Sequence, residues 1–137
     1  MKLTLFLAFV LSIFGGHAAA ADPKDPIVRL LKAGQFAFGG VGMAGVTSEG
    51  EKAYDEIFAR SSAEADFEKI FQSGNAVAKA YALTAMHQIN PAKFTELSAA
   101  FRKQNVQVPT MTGCIMSHSN SSAIVDEIAS GIHSKKK

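Results

Sequence analysis

The sequence has 137 residues, and its 14 Lys and Arg against 12 Asp and Glu give a formal net charge of +2 at pH 7. Non-specific nucleic-acid binding requires clustered Lys and Arg that neutralise several phosphates, and the chain has no dense basic stripe, so no nucleic-acid partner is expected. Because Cys114 is the only cysteine, an intramolecular disulfide is excluded.

The first 21 residues have the pattern of a secretory signal peptide. Lys2 supplies a positive charge before an apolar run from Leu3 to Phe14, which is too short to span a bilayer but matches the length of a signal-peptide core. Small residues follow, and their pattern predicts cleavage after Ala20 or Ala21. We therefore expect a secreted or periplasmic protein with no membrane span in the mature chain.

Three segments follow from this pattern. We expect a signal peptide at residues 1–21, a single helical domain at residues 22–133 and a disordered basic tail at residues 134–137. The tail ends in three lysines, which could make a weak contact with an anionic surface but are more typical of a solvated terminus. These lysines are Lys135, Lys136 and Lys137.

The mature chain begins with a short predicted helix and a glycine-rich segment. Asp25 and Pro26 have the pattern of a helix start, and Gly34 marks the end of that helix. Residues 35–47 then interleave apolar residues with glycines. Because each glycine disfavours a helix by about 1 kcal/mol relative to alanine, this segment is predicted to be extended or looped and to pack on the helices.

Four consecutive helices are predicted in the middle of the chain. They run from Ser48 to about Arg60, from Ser61 to Gly74, from Asn75 to Ile89 and from Pro91 to about Gln104. The first two open with a capping box, Ser48 with Glu51 and Ser61 with Glu64, in which the serine and glutamate side chains satisfy free N–H groups. The third helix is apolar on most of its circumference and is predicted to be buried. Asn90 then ends this helix before Pro91 starts the next.

The C-terminal part is predicted to contain one further helix. Residues 106–109 alternate and could form a short strand or an extended link, and the residues after them are predicted to be irregular. A final helix from about Ser122 to His133 carries its apolar residues on one face. The predicted fold class is all-α, a compact antiparallel array of helical hairpins with two irregular segments, because short connections make consecutive helices antiparallel.

Two resemblances accompany these elements. Residues 74–101, with Ala and Leu along one helix and Asn90 and Pro91 at the turn, resemble a HEAT-type helical repeat, and the likeness extends over one or two units from Glu51 to Lys103. The stretches FGGVGMAGVTSEGEKAY and VPTMTGCIMSHS are similar to a family of exported bacterial proteins of unassigned function. This second resemblance implies an exported single domain and supplies no catalytic residues.

Cys114 and His118 are the candidates for catalysis. A thiolate nucleophile needs a base within hydrogen-bond reach, and residues four apart face each other on a helix, which Gly113 disfavours here. We expect Cys114 to be buried instead, because a free cysteine behaves as a small hydrophobic residue. A disulfide-linked dimer through Cys114 is a further alternative.

Metal and cofactor sites are not predicted. Cys114, His87, His118 and His133 are residue types that bind zinc or copper, but their spacings are long and irregular and lack the paired pattern of a zinc module. The glycines between residues 39 and 45 would bind a nucleotide phosphate only within a βαβ unit, and the chain shows no such alternation.

The favoured functional hypothesis is a non-enzymatic interaction or accessory module that binds another protein outside the cytoplasm. Its binding surface would be either the concave face of the helical array or the two irregular segments. The alternative hypothesis is a small secreted hydrolase or thiol enzyme that uses Cys114 and His118.

Overall fold

The computed structural model describes residues 20–134, so the apolar core of the predicted signal peptide and the three terminal lysines lie outside the described residues. The elements in chain order are α1 (Pro26–Leu31), β1 (Gly40–Val41), β2 (Val46–Thr47), α2 (Glu49–Phe58), α3 (Ala63–Ser73), α4 (Ala76–Ile89), α5 (Pro91–Gln104), β3 (Gln107–Thr112), β4 (Ile115–Asn120) and α6 (Ser121–Ala129). Within the described residues, every helix is too short or too polar to cross a membrane.

The prediction of an all-α fold is wrong. Within residues 20–134, two antiparallel two-stranded sheets, β1–β2 and β3–β4, accompany six helices, and the fold is mixed α and β. The short strand that residues 106–109 could form corresponds to the start of β3, whereas β4 was missed because apolar–polar alternation marks a strand only where one of its faces is buried. In β4 every residue except the half-buried Ser119 is exposed, so its sequence shows no such alternation.

Local capping chemistry explains most of the helix starts. The Ser48 hydroxyl accepts a hydrogen bond from the Glu51 N–H at 3.1 Å, as the first capping box predicts. The side chains of Asn75 and Asn90 accept equivalent bonds at the starts of α4 and α5. The bounds predicted for α5, Pro91 to Gln104, are confirmed.

The second predicted capping box is wrong. α3 begins at Ala63, with Ser62 at the capping position and no capping hydrogen bond from its side chain. The Ser62 hydroxyl instead donates to Asp66 at 2.8 Å. The helix therefore starts one residue later than predicted, and Ser61 lies outside the capping position that its spacing to Glu64 had indicated.

The predicted burial of α4 is confirmed. Every residue from Val77 to Met86 except Lys79 is buried, and α4 contacts α3, α5, α6 and β3. Burying a large apolar side chain contributes about 1.5–3 kcal/mol, so α4 is the centre of the hydrophobic core. The other elements are arranged around it.

The two tyrosines of the chain, Tyr54 and Tyr81, lie in this core. Tyr81 is completely buried, and its hydroxyl donates to the Ala37 carbonyl at 2.8 Å and accepts from the Ala37 N–H at 3.1 Å. The Tyr54 hydroxyl accepts from the Gln88 amide at 3.2 Å. Burial is the main cause that raises the pKa of both tyrosines above the ordinary value.

We expect Tyr81→Phe to lower the free energy of unfolding by about 1–3 kcal/mol, because it leaves the buried Ala37 N–H without a partner and the Ala37 carbonyl with only the 3.4 Å bond from the Ser48 hydroxyl. Tyr54→Phe is the matched control. Its loss should be at most about 1 kcal/mol, because Gln88 is only half-buried and water can replace the hydroxyl. Urea unfolding measures both values, and equal losses would contradict a special role for Tyr81.

We expect the protein to lose stability in alkali. A tyrosine of the unfolded chain ionises near pH 10, so below about pH 10 both states keep their protons and the stabilisation is complete. Above that pH the unfolded chain loses its protons first, and the free energy of unfolding falls by about 1.4 kcal/mol per pH unit for each tyrosine.

Unfolding curves at increasing pH, together with phenolate absorbance, test this pH dependence. With two tyrosines and no tryptophan, the absorbance reports on these two groups alone. Tyr54→Phe and Tyr81→Phe should each remove about half of the tyrosine contribution. Ionisation of both tyrosines in a chain that stays folded near pH 10 would contradict the expectation.

Candidate functional site: the hairpin end

β3 and β4 form a hairpin, the long hairpin (residues 107–120), with an unbroken register from Gln107 opposite Asn120 to Thr112 opposite Ile115. Gly113 and Cys114 make its two-residue turn, and Gly113 has a φ of +56°, which glycine adopts without steric cost. The Val108 side chain is completely buried and faces the helices. Because side chains alternate along a strand, those of Thr110 and Thr112 lie on the same face as Val108.

The segment from Phe36 to Gly39 lies beside β3 and is fixed from three sides. The Phe36 N–H donates to the Pro109 carbonyl at 2.8 Å, and the Met111 N–H donates to the Phe36 carbonyl at 3.1 Å. Tyr81 holds Ala37, and the buried Glu51 carboxylate accepts from the Gly39 N–H at 2.9 Å. The segment is therefore a rigid third strand-like edge of the long hairpin.

β1 and β2 form a second hairpin, the glycine hairpin (residues 40–47), which the sequence predicted only as an extended or looped segment. A Cβ atom at Gly40 would lie 2.8 Å from the Gly45 carbonyl oxygen, so the two strands meet more closely than alanine allows. The Gly42 N–H donates to the Gly113 carbonyl at 2.9 Å, and Val41 bridges to Gly113. The turns of the two hairpins are therefore neighbours.

These two hairpins and the turn after α6 (residues 130–134) form one surface, the hairpin end. Within the described residues, the large hydrophobic side chains classed as exposed all belong to it, and none belongs to a helix. They are Met43 (100% exposed), Ile115 (72%), Ile132 (71%), Met116 (70%) and Val46 (56%). Residues 33–48 and 104–125 also contain no Asp, Glu, Lys or Arg, so neither hairpin carries an acidic residue, a lysine or an arginine.

A cleft of about 330 Å³ lies in this surface between the Phe36–Gly39 segment, β3 and the turn after α6. His133 forms part of its wall, with Nε2 at 2.8 Å from Glu127 Oε1. Because an ionised carboxylate only accepts hydrogen bonds, the imidazole is the donor. The His133 ring stacks on Phe38 at 5.0 Å and meets Phe36 edge-on at 5.1 Å.

These contacts give His133 a structural role. Its ring is held by one carboxylate and two aromatic rings, and no hydroxyl or thiol of residues 20–134 forms a hydrogen bond with it. Together these contacts fix the ring in the wall of the cleft, which Phe36, Phe38 and Ile132 also line.

The structure does not bring Cys114 and His118 together. Cys114 lies in the turn of the long hairpin, and His118 lies four residues further along an extended strand, which places the two about 13 Å apart. The prediction that Cys114 is buried is wrong, because the turn projects away from the helices and exposes this residue.

The two other histidines that the structure describes have different neighbours. The ring of His87 on α4 meets Phe94 edge-on at 4.9 Å, whereas His133 lies at the cleft against Phe36 and Phe38. Within residues 20–134, no three side chains of His, Cys, Asp or Glu are grouped so that they could hold a metal ion.

Sequence reasoning missed the pair of Glu127 and His133. A spacing of six residues places two side chains on different faces of a helix, and in an extended strand it holds them about 20 Å apart, so no periodic pattern indicated that they meet. They meet because α6 ends at Ala129, earlier than predicted, and Gly131, with a φ of +79°, turns the chain back. A glycine near the end of an apolar helix was the signal available in the sequence.

Comparison of the chain with protein-family models, with curated proteins and with solved structures found no significant match. The resemblance to exported bacterial proteins of unassigned function therefore stays a prediction.

We expect a thiol reagent to label Cys114 in the native protein about as fast as in the urea-unfolded chain, because the turn exposes its side chain. The appearance of the reagent's leaving group gives both rates, and Cys114→Ser supplies the blank. Labelling that begins only when urea unfolds the protein would contradict the exposed position.

Proposed function

We propose that this protein is a non-enzymatic interaction module that acts outside the cytoplasm, after removal of its signal peptide, and binds another protein through the hairpin end. The observation that carries the proposal is the placement of the exposed large hydrophobic side chains, all of them at the hairpin end and none on a helix in the described residues. Soluble proteins rarely expose a contiguous apolar patch unless it binds something.

The energetics of the hairpin end are compatible with specific binding. Each large apolar side chain contributes about 1.5–3 kcal/mol when a partner buries it completely. Ile115 and Met116 face opposite sides of the long hairpin, so a partner on one side buries at most four of the five exposed side chains, which can offset an association cost in the lower part of the range of about 4–15 kcal/mol. Two of the five are methionines, whose flexible side chains adapt to irregular partner surfaces. Hydrogen bonds hold the Phe36–Gly39 segment in place, so this part of the surface loses little conformational entropy on binding.

The composition of the surface indicates the chemistry of the partner. Because the hairpins carry no Asp, Glu, Lys or Arg, a charged partner surface would lose its hydration and gain no opposite charge. We therefore expect an apolar, uncharged patch on the partner, with one side chain in the cleft beside Phe36 and Phe38. The alternative enzyme hypothesis lacks support of this kind, because Cys114 and His118 lie far apart.

We expect a photoreactive amino acid at position 43 or 132 to crosslink one discrete protein in the cells that produce this chain. The same amino acid at position 103 on α5, also exposed, is the matched control and should capture nothing specific. With the captured protein purified, Met43→Ser combined with Ile132→Ser should weaken binding at least about a hundredfold, because each lost apolar anchor is worth more than about 1.4 kcal/mol.

Two results would contradict the proposal. Crosslinking from position 103 equal to that from positions 43 and 132 would place binding on the helices. A partner whose affinity, measured by calorimetry, is unchanged by the double substitution would remove the hairpin end from the interface. The proposed export is tested on the same cells, where the protein isolated outside the cytoplasm should begin at Ala21 or Asp22.

A further inference from the structure

We infer that the outer edge of β4 pairs with β4 of a second copy of this chain, so that two long hairpins form one antiparallel sheet across a two-fold axis. This inference goes beyond the proposed function, because it concerns the backbone groups at the edge of β4, although Ile115 and Met116 of this strand also belong to the apolar side chains of the hairpin end.

The register of the long hairpin shows which groups of β4 are free. On β3, the Pro109 carbonyl and the Met111 N–H bond to Phe36, so the backbone groups of these two residues point away from β4. In an antiparallel pair, residues directly opposite each other both point inward or both point outward. His118 is opposite Pro109 and Met116 is opposite Met111, so the N–H and carbonyl groups of Met116 and His118 point outward.

Nothing in residues 20–134 covers this outer edge. No backbone hydrogen bond joins Met116 or His118 to any element outside the long hairpin, and every residue from Ile115 to His118 is exposed. The edge also lacks the features that prevent strand pairing in soluble proteins, such as an inward charge, a proline or a bulge. Its residues are Ile115, Met116, Ser117, His118, Ser119 and Asn120, in continuous register with β3.

The chemistry of β4 favours a second copy as the occupant. When two β4 strands run antiparallel about an axis at Ser117, Met116 of each copy is opposite His118 of the other, and both have outward backbone groups. Four backbone hydrogen bonds then form, and the small Ser117 side chains meet at the axis. Because residues 104–125 contain no Asp, Glu, Lys or Arg, the two copies bring no like charges together at neutral pH.

The same geometry excludes Cys114 as the link between the copies. Cys114 is three residues from the axis, about 10 Å along the strand in each copy, so the two thiols are about 20 Å apart. A disulfide needs Cα atoms within about 4.4–6.8 Å. The dimer is therefore resistant to reducing agents, unlike a dimer linked through Cys114.

Sedimentation equilibrium of the purified full chain in reducing buffer tests the inference. We expect twice the mass of one chain, and amide exchange at Met116 and His118 that slows as the protein concentration rises. His118→Pro removes one outward N–H and no hydrogen bond to β3, and we expect it to weaken dimerisation at least about tenfold. Met116→Lys should also weaken dimerisation, because it places like charges near the axis. Gln107→Lys adds the same charge at an exposed position of β3 and should leave dimerisation unchanged.

Three results would overturn the inference: a single-chain mass at concentrations up to about 1 mM, a dimer that both edge variants leave intact, or a dimer that reductant dissociates. Protection of the Met116 and His118 amides in a complex with one copy of this chain would place a different strand on the edge and would also overturn it. Because the crosslinking positions 43 and 132 lie outside β4, failure of the dimer and failure of the proposed function give different results.

Discussion

The hydrogen bonds between the Tyr81 hydroxyl and the Ala37 backbone are the interaction on which the rest of the structure depends. They carry a polar contact from the centre of the core helix α4 to the one segment that touches both hairpins. Because the Tyr81 ring is completely buried, its hydroxyl cannot exchange Ala37 for water without disrupting the core. The position of the Phe36–Gly39 segment, and with it the wall of the cleft, is therefore set by the packing of α4.

The molecule separates charge from apolar surface. Most ion pairs among residues 20–134 lie on or beside the helices, as in Arg29 with Glu56 and Lys93 with Glu68, both at 2.9 Å, and in the pair of Arg102 with Asp126. Exposed pairs of this kind contribute little to stability, at about 0–1 kcal/mol each. Their charged groups keep the helical faces hydrated, whereas the two hairpins carry no Asp, Glu, Lys or Arg.

The helices could be predicted because the signals for their ends lie within a few residues of each other. No such local signal marks the hairpin end. Asn90 and Pro91 end one helix and begin the next through steric rules that act within a few residues, and the burial of α4 follows from its own composition. The long hairpin has no buried face along β4, so no alternation of apolar and polar residues marked this strand. Cys114 was wrongly predicted to be buried because the sequence placed it in a loop that packs on the core. The contact of His133 with Phe38 joins residues from opposite ends of the chain, which no sequence period encodes.

That separation along the chain has a consequence for biosynthesis. The Phe36–Gly39 segment is made before its neighbours β3 and His133, so the wall of the cleft cannot form until residues 107–133 have been made. The helices α2 to α5 are connected locally and can pack before that point. A nascent chain that lacks β3 therefore presents the apolar Phe36–Gly39 segment without its hydrogen-bond partners Pro109 and Met111.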